Sequence, residues 1–157
     1  MNIQIYTDGS ARNNGYENAV GAWGYMIVNN GIKTPVIVGI EQGATNQQME
    51  MEACIRGCKA VVDAFLLSAD DNVEIITDSA YVYNCAAQKW YSKWEANGWV
   101  TSSRTPVLNK ERWEQLIPYF KNPAFKFVKT KGHANDKYNC IVDNAVQAAT
   151  LKEKNKC

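Results

Sequence analysis

From Thr45 to about Ser68 the apolar residues Met51, Cys54, Ile55, Cys58, Val61, Val62 and Phe65 recur at spacings of three and four. That is the period of a helix with one apolar face, and Thr45 stands where an N-cap belongs. The next apolar run, Val73 to Thr77, is short and rich in β-branched residues, which predicts a buried strand. Upstream, Asn2 to Asp8 alternates, with Ile3, Ile5 and Thr7 on one face, and predicts a strand ending at the turn-rich run Gly9 to Gly15. Ala19 to Val28 and Ile32 to Ile40 flank Asn29-Asn30-Gly31 and predict a β-hairpin. A strand reached through a long helix returns to its sheet in parallel, so this stretch commits the chain to a mixed α/β architecture.

The remaining elements follow the same signals. A short helix is predicted from about Ser79 to Ala87, then a Trp-rich segment from Lys89 to Trp99 and a loop to Pro106. Asn109 is placed to cap a helix through Phe120, with Pro118 bending or ending it early. Phe125 to Thr130 reads as a strand and about Asn139 to Leu151 as a helix. The order β-β-β-α-β-α-β-α predicts a mixed five-stranded sheet, three antiparallel strands then two parallel, with helices on both faces. At 157 residues and 46% hydrophobic, the chain has material for one core, so a single domain over 1–157 is expected. No apolar stretch has bilayer-spanning length, and the N-terminus leads straight into strand-like sequence, so a cytoplasmic protein is expected. Cys54, Cys58, Cys85, Cys140 and Cys157 are scattered and the one histidine lies far from the first pair, which predicts reduced structural thiols and not a zinc site.

Charge is divided along the chain. Residues 1–88 hold four Lys/Arg against ten Asp/Glu, whereas residues 89–157 hold thirteen against six. An acidic half joined to a basic half suits a metal-dependent enzyme acting on a polyanion, although unevenly solvated charge gives the same pattern. Thr7-Asp8-Gly9-Ser10 and Thr77-Asp78-Ser79 each set an acid at the end of a predicted strand, the sheet edge at which α/β proteins gather their ligands. Taken singly, each Asp equally suits a turn or a helix cap. Glu50 and Asp143 are expected in the first turns of the long and the last helix. Four converging carboxylates would repel one another, and a divalent cation relieves that repulsion; all-oxygen ligation favours Mg2+ or Mn2+ over zinc.

The strings Thr7 to Ser10, Asn13-Asn14-Gly15, Gly21 to Gly24, Thr45 to Glu50, Thr77 to Val82, and Lys131-Gly132-His133-Ala134 followed by Asn139 to Asp143 resemble type I ribonuclease H. They occur in that family's order and cover nearly the whole chain. The resemblance implies that Asp8, Glu50, Asp78 and Asp143 hold two Mg2+ ions, with Mn2+ a possible substitute, and that the RNA strand of an RNA/DNA hybrid is cut to 5′-phosphate and 3′-hydroxyl ends. It selects Glu50 over Glu52, since only Glu50 follows Thr-Asn-x-x-Met; Glu52 is then expected to be solvated or to support the ligands from behind. His133 is implied to assist as a proton relay or in product release. Ser10 and Ser79 are read as turn residues bonding the backbone.

For the hybrid itself, the resemblance implies contacts from Asn14, Asn46 and Gln47 on the RNA side, with Thr45 and Asn14 at a DNA phosphate. The Trp-rich segment resembles the basic handle of bacterial relatives. Lys89, Trp90, Lys93 and Trp94 are the candidates there, although Trp90 and Trp94, four apart, equally suit ordinary helix packing. Glu95-Ala96-Asn97 stands where relatives carry a basic run, so a weakened handle is expected. The expected partner is a hybrid duplex and the expected state a monomer. A junction resolvase or recombinase would lack the Lys-Gly-His-Ala loop, and a non-catalytic hybrid-binding module usually loses one of the acids.

Overall fold

The computed structural model describes residues 1–130 and 137–150. Its elements run β1 (Asn2–Arg12), β2 (Val20–Asn29), β3 (Ile32–Lys33), β4 (Ile37–Gln42), α1 (Asn46–Ala64), β5 (Asn72–Thr77), α2 (Ala80–Gln88), α3 (Trp90–Asn97), α4 (Lys110–Phe120), β6 (Phe125–Lys129) and α5 (Lys137–Ala149). They form one mixed sheet in the order β3-β2-β1-β5-β6, with β4 also on β2. β1 pairs antiparallel with β2 and parallel with β5, and β5 is parallel to β6.

The sheet has six strands where five were predicted, because the third is split. Both pieces pair with β2, and between them Thr34 exchanges hydrogen bonds with Ile27, its nitrogen donating to the carbonyl at 2.9 Å and its Oγ1 accepting from Ile27 N at 3.0 Å. Pro35 has no N–H to continue the ladder. Helix α1 is shorter than its apolar period suggests: Phe65 turns extended, at φ −127°, and Leu66 is 97% exposed. At its start Thr45 and Gln48 form a capping box, as the sequence led one to expect of Thr45.

Alternation along the strands assigns the two faces. Ile3, Ile5, Val73 and Ile75 pack under α1, whose Met51, Cys54, Ile55 and Cys58 are fully buried. On the opposite face Ala22, Met26 and Val28 of β2 meet Val142 and Val146 of α5. Cys54, Cys58 and Cys85 are free and buried, as expected of structural thiols; Cys157 lies outside the described residues.

Two glycines let the helices close on β1 and β2. A Cβ on Gly9 would lie inside contact distance of the Met49 carbonyl carbon and the Glu50 nitrogen, so α1 rests directly on the β1 backbone. A Cβ on Gly24 would lie 2.8 Å from Val146 Cγ2, on the α5 side. Gly9→Ala is expected to force α1 away from β1 and cost about 1–3 kcal/mol, as overpacking does; urea unfolding checks this, and an unchanged midpoint would refute the close-packing account.

Candidate active site

Strand parity decides where the acids point. Ile3, Ile5, Thr7 and Gly9 face α1, so Asp8, like Tyr6, faces α5. The same alternation on β5 turns Thr77 toward α1 and Asp78 the other way. In the parallel register Tyr6 pairs with Ile76, which leaves Asp8 and Asp78 level with each other beyond the last pair. Asp8 does not end its strand, as predicted, but lies within it: β1 runs on to Arg12 because β2 pairs along its whole length, Asp8 standing opposite Gly24. The bare Gly24 lets α5 approach, and Asp143 of α5 reaches Asp8 through a side-chain hydrogen bond.

Glu50 arrives from the other face. Neither it nor Asp143 occupies a first helical turn as expected: Glu50 is the fifth residue of α1, which starts directly after its expected cap Thr45, and Asp143 is the seventh of α5, which starts at Lys137, ahead of the expected Asn139. The contact of Gly9 with the Met49–Glu50 backbone fixes Glu50 at the β1 end. Ser79 lies near enough to the Glu50 carboxylate to hold its pKa down, while its Oγ accepts from Val82 N at 3.1 Å, capping α2. The sequence reading of Ser79 as a backbone-bonding residue is therefore right but incomplete, and Ser10 lies in β1, not in a turn.

The electrostatics are those of a crowded acidic site. Asp8 is 7% exposed and Asp143 2%. Burial first, then the charges of Asp78 and Asp143, push the Asp8 carboxyl up from 3.8 to about 9, against a hydrogen bond from the Gly9 backbone. Burial and the Asp78 charge also raise Glu50, opposed by Ser79. Among the described residues no three His, Cys, Asp or Glu side chains are grouped so as to hold a metal ion as they stand. The donor set nonetheless fits a hard cation: all ligands are oxygens, and Asp8 Oδ2 is buried without a hydrogen-bond partner.

Beside the acids lies a cleft of about 540 Å³ lined by Asn14, Thr45, Asn46 and Gln47, which the sequence singled out, and by Gln48, Leu108 and Asn109, which it did not. Asn14 Oδ1 accepts from Asn46 N at 2.9 Å and Asn46 Oδ1 accepts from Ala11 N at 2.6 Å, lashing the loop after β1 to the start of α1. Asn109, expected as a capping side chain, makes no cap bond; it accepts from Gln48 Nε2 at 3.1 Å and donates to Tyr81 OH at 3.3 Å. In the Trp-rich segment Lys89 and Lys93 are exposed. Trp90 and Trp94 are half-buried, Trp94 against Trp113 at 5.6 Å and Trp90 against Tyr81 at 6.4 Å. Glu95 pairs with Lys121 at 3.0 Å. His133 and the rest of Lys131–Ala134 lie outside the described residues.

The RNase H family model matches residues 1–150. The chain is 38% identical over 147 residues to the ribonuclease H of Clostridium botulinum strain Hall, covering 94% of each. The chain belongs to the ribonuclease H family. It is therefore a hydrolytic nuclease by class. The ribonuclease H of Caldicellulosiruptor saccharolyticus is 36% identical over 151 residues, 96% of this chain and 97% of that one. Among solved structures, the foamy viral protease-reverse transcriptase in complex with dsDNA shares the fold, with TM-score 0.78 at 19% identity over 94% of this chain and 93% of that one. LC11-RNase H1 in complex with RNA/DNA hybrid matches at TM-score 0.65 and 25% identity, over 94% and 98%. No helix among the described residues is long and apolar enough to cross a membrane.

Within this family member Glu52 is not a solvated residue. It is 8% exposed and accepts from Arg56 Nε at 2.6 Å and Arg112 Nε at 3.3 Å, while Arg112 also reaches Glu41 at 2.6 Å. This network ties α4 to α1 and β4; Glu52 and Arg56 are an i,i+4 pair on α1, but Arg112 lies too far from Glu52 and Glu41 in sequence for any local signal of its part. For Asp8 the linkage has a definite sign. Its folded pKa lies above its unfolded value of 3.8, so between 3.8 and about 9 the folded state holds the extra proton and stability falls as pH rises. In chelator the melting temperature is expected to fall across that window, and Asp8→Asn to flatten the fall and raise stability at its alkaline end by about 1–3 kcal/mol. Added Mg2+ should raise the melting temperature of the native chain but not of Asp8→Asn; a pH-independent native melting temperature would contradict the assignment.

Proposed function

We propose that the chain is an endoribonuclease that hydrolyses the RNA strand of RNA/DNA hybrids, with Asp8, Glu50, Asp78 and Asp143 holding two Mg2+ ions. The observation that carries this reading is the Asp8 carboxylate, buried within β1 with Oδ2 unpartnered and two further acids acting on it. Nothing but a proton or a cation makes that arrangement favourable, and a polyanionic substrate needs the cation. When bound, the ions would supply Lewis acidity toward the scissile phosphate and its attacking water. The chain's own part is to hold four carboxylates ready, to keep Glu50 ionised with Ser79 beside it, and to seat the duplex. On this reading the products carry 5′-phosphate and 3′-hydroxyl ends, and His133 moves a proton or speeds release.

Seating falls to the cleft and the handle. The amide groups of Asn14, Asn46, Gln47, Gln48 and Asn109 offer donors and acceptors for sugar hydroxyls and phosphate oxygens, which is how strands are told apart where bases are not read. Thr45, at the same cleft, adds a hydroxyl. Lys89 and Lys93 are assigned phosphates of the DNA strand, and the open parts of Trp90 and Trp94 its sugars. Glu95 opposes them by neutralising Lys121.

Two experiments test the reading. Strand-labelled RNA/DNA, RNA/RNA and DNA/DNA duplexes with Mg2+ should show cleavage of hybrid RNA alone, lost in Asp8→Asn; cleavage of DNA/DNA would sink it. For the handle, Glu95→Lys adds one cation and releases Lys121, so the log–log slope of hybrid binding against salt should steepen by about one to two. Identical slopes would show that α3 does not meet the duplex.

A further inference from the structure

Behind the carboxylates, on the α1 side of the sheet, lies a polar group that the mechanism does not use. Cys54 is fully buried one helical turn after Glu50, and its Sγ lies 3.7 Å from Thr7 Oγ1, within hydrogen-bonding reach for sulfur. Thr7 precedes Asp8 and Thr77 precedes Asp78, and parity turns both hydroxyls toward α1 as it turns both acids away. We infer that Cys54, through Thr7 and its bond to the Ile76 carbonyl, holds the ends of β1 and β5 at a fixed spacing from Glu50 and is a positioning residue for the nuclease site. This inference rests on the four-carboxylate reading.

Counting protons gives the contact a direction. The Thr7 hydroxyl donates to Ile76 O at 2.9 Å, so the thiol must donate to Thr7. Thr77 Oγ1 accepts from Ser79 N at 3.1 Å, which fixes the end of β5 to the start of α2. The hydrogen-bonded chain therefore runs from Cys54 on α1 through Thr7 on β1 to the Ile76 carbonyl on β5. Thr7, Thr77 and Ser79 are 4%, 2% and 3% exposed, so water does not substitute for any link. With the thiol replaced by an alkyl group, the buried Thr7 Oγ1 loses the proton donated to it, and the strand ends relax relative to α1. An ångström of displacement at a preorganised site is felt in turnover more than in substrate binding.

The test compares Cys54→Ala, Cys54→Val and Cys54→Ser with the native chain and Asp8→Asn. Ala and Val bracket the thiol in size without its hydrogen bonds, and each should lower kcat about tenfold with KM little changed. Each should also shrink the rise in melting temperature that Mg2+ produces, a readout independent of turnover. Cys54→Ser keeps the donor and acceptor and should restore both. If Val does not fold, Ala and Ser carry the comparison. Native kcat and native Mg2+ response in Ala, whatever its melting temperature, would overturn the inference and reduce Cys54 to filling space. A native chain that does not cut hybrid, or an Asp8→Asn variant that cuts at the native rate, would overturn the four-carboxylate reading and this inference with it.

Discussion

Asp8 stands in the middle of a strand, 7% exposed, with Asp78 level with it across the parallel pair and Asp143 bonded to it from α5. Burying a carboxylate away from water is costly, and like charges beside it raise the cost. Among the described residues the groups acting on Asp8 are the acids Asp78 and Asp143 and the Gly9 amide, with no cation to discharge it. Two missing side chains make the crowding possible. At Gly9 the α1 backbone rests on β1 and delivers Glu50, and at Gly24 the α5 valines close on β2 and deliver Asp143.

The face behind the acids is polar in a different manner. Thr7, Thr77, Ser79 and Cys54 are small, buried and hydrogen-bonded, so they fix strand ends without adding charge. Fixed positions matter more here than strength, because a set of mutually repelling ligands relaxes apart unless its scaffold prevents it. Stability and function therefore compete at one end of the sheet, while the apolar layers of Ile3, Ile5, Val73 and Ile75 under α1 supply the burial that tolerates the strain.

A second charged arrangement lies apart from the acids and has the opposite character. Glu52 is matched by Arg56 and Arg112, and Arg112 by Glu41. Half-buried pairs of this sort add little net stability, but they set register between elements. Here they tie α4 to α1, and α4 begins at Asn109, the residue that meets Gln48 across the cleft. The aromatic packing of Trp94, Trp113 and Tyr81 fixes the other end of the same arm. The Trp-rich segment is thereby joined to the core through rings, which leaves Lys89 and Lys93 exposed.

By itself the sequence determined most of the elements, the crossover and which acids to look at, because periodicity and short motifs are local. It also placed Thr45 at the cap of α1. What it did not settle depends on partners. β1 runs past Asp8 because β2 is there to pair with it, and the third strand breaks because Pro35 has no proton to offer β2. Glu52 carries the same charge as Glu50 and lies two residues away on the same helix; only folding turns one toward Arg112 and the other toward Ser79. Side-chain direction on a helix of known period is a matter of angle, but what waits at that angle is supplied by residues up to 60 positions distant, and no local pattern records them.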